Sequence, residues 1–79
     1  MTTNLIKKNI KLSNEFDEFV AGNQSASKKI PNGAHIVITS SRDAALSAAN
    51  TDIARNSRGG IFVEAHKSDG RWQIKAFQK

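Results

Sequence analysis

Two histidines and one carboxylate are the side chains of this sequence best suited to chemistry. His35 lies in Ala34-His-Ile-Val-Ile-Thr39, and His66 closes Ile61-Phe-Val-Glu-Ala-His66 with Glu64 two residues before it. Two imidazoles and a carboxylate could begin a metal site, but a bound ion needs three or four well-placed ligands, and Glu64 is the single candidate to complete the set. The expected roles are therefore ordinary: partly exposed histidines and no metal. Serines are plentiful, yet none stands in a nucleophile elbow, and spacing puts no histidine beside one. Asp43, Asp52, Glu64 and Asp69 are scattered, as a cap, an exposed helix position, a strand pair and a turn would be. No catalytic residue and no cofactor is indicated, and the expectation is a protein that is not an enzyme.

Binding chemistry is better represented. The chain carries a formal charge of +5, spread over both halves rather than gathered in a tail. Such a charge favours encounters with polyanions without bearing on the fold. Lys67 and Arg71 flank a turn beside Trp72, with Arg55 and Arg58 elsewhere, and these four cations are the candidate nucleic-acid contacts. Trp72 could offer a face to a base, but the hairpin register sends it to the core side, where capping the core is the expected role. Ser40, Ser41 and Arg42 follow a strand-like run and precede a helix-like one. A helix N-terminus there would be the candidate anion site. Arg58-Gly59-Gly60 is not a phosphate loop, because it lacks the Lys-Ser/Thr ending and follows a helix, where the dipole repels anions.

The elements that must position these groups follow from periodicity. With 79 residues there is room for one domain, spanning 1–79, and with no cysteine neither disulfides nor a thiolate zinc site can staple it. Residues 1–12 suggest a short or frayed helix. Residues 13–30 read as helical cover: Ser13 resembles an N-cap, and Leu12, Phe16, Phe19 and Val20 recur on one helical face. Pro31-Asn32-Gly33 stops that segment. Residues 34–78 read as a β-α-β-β unit. Its first strand covers His35–Thr39. Its helix runs from about Ser41 to Asn56, capped by Ser40, with Ala45, Leu46, Ala49 and Ile53 expected inward. Asp69-Gly70 is a two-residue type I′ turn in a hairpin. That turn pairs Lys67 with Trp72, Glu64 with Lys75, Ala65 with Ile74 and Phe62 with Phe77.

The fold class is thus α/β (α+β), an N-terminal helix or helices followed by β-α-β-β. The strands should form a three-stranded mixed sheet in order 1-2-3, with a right-handed crossover helix. Such a sheet has two edges. The first strand contains no Lys, Asp, Glu or Pro to blunt its edge, and the third, Arg71–Gln78, carries only Arg71 and Lys75. One face would keep Val37, Phe62 and Phe77, which the crossover helix cannot reach. These three form the candidate interaction face, to be covered by the N-terminal helix or by another chain.

Leu12-Ser-Asn-Glu-Phe16, Phe19-Val20, Lys29-Ile-Pro-Asn-Gly-Ala34, Ile36-Val37, Asp43, Asn50, Ile53-Ala54 and a later Val63 together resemble a small prokaryotic family catalogued only as a domain of unknown function. The resemblance covers roughly residues 4–66, departs at Asn23–Ser27, and gives way to a hairpin similar to those of other small βαββ domains of unknown function. It implies a compact α/β domain and brings no activity, cofactor or site residue.

No apolar run approaches the roughly 20 residues that span a bilayer, and the N-terminus has no signal-peptide core. The sequence therefore reads as a soluble, cytoplasmic, unprocessed protein. Its expected role is a small binding module, acting on itself as a homodimer or on another protein; the alternative is a nucleic-acid binder that uses the basic hairpin.

Overall fold

The computed structural model describes residues 2–77. Six elements follow in the order α1 (Thr3–Ala21), α2 (Gln24–Lys28), β1 (His35–Ser40), α3 (Ala44–Asn56), β2 (Phe62–Ser68) and β3 (Arg71–Ala76). Gln78, the expected end of the last strand, lies outside the described residues.

α1 is one helix where two were expected. Thr2 is its N-cap, its hydroxyl accepting from Leu5 N, and Gly22 ends it with its N–H on Glu18 O. Ser13 is a mid-helix residue. Its cap-like type is a weak local preference, and no glycine or proline between Thr3 and Ala21 interrupts propagation. Asn23 caps α2 through its side chain and Ala26 N. The turn at Pro31–Ala34 is closed by Ala34 N on Pro31 O.

The sheet has the order β1-β2-β3. β1 and β2 are parallel, with His35 beside Phe62 and Thr39 beside His66. β2 and β3 form the expected hairpin in the expected register: Lys67 faces Trp72, Ala65 faces Ile74 and Glu64 faces Lys75. Asp69 and Gly70 both have positive φ, 52° and 76°, as a type I′ turn requires.

Both long helices pack on the same face of this sheet. Phe16 of α1 and Leu46 of α3 share one core with Ile38 and Ala65, flanked by Leu5, Leu12, Phe19, Val20, Trp72 and Ile74. The alanine-rich α3 is slender and lies over β1. The part of the face beneath β2 and β3 is left to the bulkier side chains of α1, where Phe16 meets Trp72 edge-on at 5.1 Å. The smallest dimension of the molecule, 17 Å, fits a sheet with one layer of helices. α1 therefore does not cover Phe62 and Phe77, and among the described residues no helix packs on the second face of the sheet.

α3 starts later than expected, at Ala44, and Asp43 is its N-cap, accepting from Leu46 N at 3.0 Å. Its inward stripe is also rotated. Leu46 is fully buried as expected, and Ala54 is buried, but Ile53 is 55% exposed. The cause is polar: Ser47 and Asn50 turn inward to bond β1. Ser47 Oγ accepts from Ser40 N at 2.8 Å and lies 3.1 Å from Ser40 O, while Asn50 Nδ2 donates to Ile38 O at 2.8 Å. With Ser47 and Asn50 facing the strand, Ile53 is carried round to the flank.

Candidate functional site

The bare face is built from alternate residues of the three strands. His35, Val37 and Thr39 stand beside Phe62, Glu64 and His66, which stand beside Phe77, Lys75 and Gln73. At one end an aromatic row crosses the sheet. The His35 and Phe62 rings are 5.1 Å apart, and those of Phe62 and Phe77 are 6.2 Å apart. Gly60 makes the row possible. Its φ is +92°, and a Cβ there would lie 3.3 Å from the His35 ring and 3.5 Å from Phe62. Val37, expected to be part of the contact surface, is only 5% exposed and so offers little surface to a partner. Phe62 and Phe77 are half-buried, and His35 is exposed.

Further along the face is a polar cluster that the sequence did not announce. Thr39 Oγ1 lies 2.6 Å from Glu64 Oε2 and 2.8 Å from His66 Nδ1, and the imidazole is 3.8 Å from the carboxylate. A hydroxyl has one proton. Donated to Glu64, it leaves the oxygen to accept from Nδ1–H of His66, which fixes the tautomer. Thr39 is 5% exposed, and its proton and one lone pair are engaged in these two bonds. The arrangement suits alignment of β1 on β2 better than attack on a substrate. His35 lies at the other end of the face, so the two histidines do not converge. Among the described residues no group of His, Cys, Asp or Glu is disposed to hold a metal ion.

The candidate cations are dispersed. Lys67 is on the helix-covered face, bonded to Glu15 of α1 and lying 5.7 Å from the centre of the Trp72 ring. The Lys67 hydrogen bond holds the Glu15 carboxyl below its ordinary value. Arg71 is exposed at the hairpin. Because α3 runs back against β1, Arg55 and Arg58 lie at the opposite end of the sheet, about 20 Å away for a strand of this length. Trp72 packs on Phe16 and is not presented to a base.

The candidate anion site is occupied by the chain itself. Asp43 puts its own carboxylate at the first turn of α3, where the bond from Leu46 N and then Lys8 at 2.9 Å lower its pKa. Ser40 is engaged with Ser47, its Oγ accepts from Arg42 N, and Arg42 reaches Asp69 at 3.9 Å.

Two grooves remain. One, of about 560 Å³, runs between α1, α3 and the start of β1, bordered by Ile36 and Ile53. Its amides Asn9 and Asn50 are bonded to each other, at 2.7 and 3.0 Å, and Asn50 also to Ile38 O. The other, of about 390 Å³, lies between β3, from Trp72 to Lys75, and a wall formed by Phe19 and by Asn23, Ser25, Ala26 and Lys29 in and beside α2.

Residues 4–73 match the Family of unknown function (DUF5647), and the chain belongs to that family. No curated protein matches the chain. No solved structure matches it. Among the described residues, no helix is long and apolar enough to cross a membrane.

Proposed function

We propose that this family member is a small, non-enzymatic protein-interaction module that associates with itself through its sheet, one face of which the helices leave uncovered. The observation that carries the reading is the one-sided packing: α1 and α3 share one face, and the row His35, Phe62 and Phe77 lies on the other. A monomer of 8.6 kDa exposes about 4,700 Å² by size scaling, whereas this chain exposes 5502 Å². The surplus is comparable to the roughly 800 Å² that each partner contributes to a standard interface.

Glu64 and Lys75, side by side on the uncovered face, give the sheet both signs of charge. A polyanion would find less. Lys67 is committed to Glu15, and the arginines face different ends of the sheet. Sedimentation velocity of the unmodified chain and of Phe77→Ser tests the reading: self-association is expected, weakened in the variant. Retardation of DNA or RNA at low salt, abolished by Lys67→Ala with Arg71→Ala, would instead favour the nucleic-acid alternative.

A further inference from the structure

The two edges of the sheet are not equivalent, and the difference points to how two copies join. In β1, His35 N bonds Ile61 O and Ser41 N bonds Lys67 O, so the backbone groups of odd-numbered residues point to β2. Those of Ile36, Ile38 and Ser40 point outward, since a strand alternates with period two. α3 blocks this edge: Ser47 takes Ser40, and Asn50 takes Ile38 O.

In β3, Phe77 N bonds Phe62 O, so Phe77, Lys75, Gln73 and Arg71 point to β2. Trp72, Ile74 and Ala76 turn their N–H and C=O outward, and no other described residue bonds them. No proline or charged residue stands at those three positions, and the 390 Å³ groove lies alongside. An edge of this kind is a template for another strand.

We propose that β3 pairs antiparallel with β3 of a second copy about a two-fold axis at Ile74, fusing two three-stranded sheets into one of six. This rests on the self-association proposed above and names its interface. The register follows from charge. An axis at Ile74 places Trp72 opposite Ala76 of the partner subunit, Gln73 opposite Lys75 of the partner subunit, and Arg71 opposite Phe77 of the partner subunit. The whole strand is then paired, and no like charges meet. An axis at Gln73 sets Arg71 against Lys75 of the partner subunit, and an axis at Lys75 sets that lysine against its own copy; like charges directly opposite are destabilising. The axis stands perpendicular to the sheet, so both helical layers lie on one side and the bare faces join into a single surface.

The chain has no cysteine, so introduced thiols report the register cleanly. In the proposed pairing, residue 73 of one copy and residue 75 of the other form a non-hydrogen-bonded pair with Cα atoms about 4.5 Å apart, within disulfide reach. Two copies of residue 73 are diagonal neighbours at about 7–8 Å. Mixed Gln73→Cys and Lys75→Cys chains are therefore expected to cross-link on mild oxidation, and each variant alone is not. Ala76→Pro removes one outward N–H per chain near the strand end and is expected to weaken the dimer about tenfold, with its monomer still folded by circular dichroism. Cross-linking of Gln73→Cys alone would overturn the register. A dimer untouched by Ala76→Pro and giving no mixed cross-link would overturn edge pairing while leaving self-association standing. A monomer at every concentration would overturn both.

Discussion

Asn50→Ala tests the strand-blocking role of α3 most sharply. The Asn50 amide donates to Ile38 O at 2.8 Å and to Asn9 Oδ1 at 2.7 Å, and its oxygen accepts from Asn9 Nδ2 at 3.0 Å. Truncation removes all three bonds and leaves an edge carbonyl and the Asn9 amide without these partners in a part-buried site. A hydrogen bond contributes about 0.5–1.5 kcal/mol net, and a stranded group costs about 1–3 kcal/mol, so a loss of about 2–3 kcal/mol is expected. That is a large share of the roughly 4–12 kcal/mol available to a domain of this size. It should lower Tm by about 10 °C or more.

Urea titration gives the free energy, and a double-mutant cycle with Asn9→Ala apportions it. Asn9→Ala alone should cost less, since Asn50 keeps Ile38 O. The double variant should cost little more than Asn50→Ala, a coupling of about 1 kcal/mol. A loss under 0.5 kcal/mol, or strict additivity, would refute the reasoning.

Three further outcomes follow from the same packing. Leu46→Ala should lose about 2–5 kcal/mol in urea unfolding, and Ile53→Ala, on the exposed flank, less than about 1 kcal/mol. The carboxyls of Glu15 and Asp43 are both depressed in the fold from ordinary values of 4.5 and 3.8. Their contribution is therefore present above those values and lost as pH falls through the lower folded ones. Melting temperature should drop on acidification below about pH 4.5, and the drop should shrink in Glu15→Gln. Gly60→Ala should destabilise and disturb the His35 and Phe62 ring resonances in NMR spectra, because a Cβ there meets both rings in a backbone conformation L-residues avoid.

The parts of the fold set by local rules were legible. Asp69-Gly70 admits one tight turn, and that turn with the alternation of Phe62–His66 and Trp72–Phe77 fixes every pair of the hairpin. Leu46 was placed for the same reason, by helical period. Three things were not legible. Ser13 carries a cap-like side chain, but a cap matters only where the chain leaves the helix, and nothing between Thr3 and Ala21 makes it leave. Ser47 and Asn50 are polar types on a helix, so their inward turn depended on the outward groups of β1, which only the assembled sheet defines. The Thr39, Glu64 and His66 cluster needed the offset of a parallel pair, His35 beside Phe62, and a crossover of more than twenty residues imposes no such offset by itself. That α1 joins α3 on one face followed from how little of the sheet the alanines of α3 can cover.

The claim on which the rest depends is that two copies of this chain meet. Sedimentation equilibrium of the unmodified protein across micromolar concentrations addresses it directly. The account predicts a species of twice the 8.6 kDa chain mass that gives way to the single chain on dilution. A mass of one chain at every concentration would contradict it.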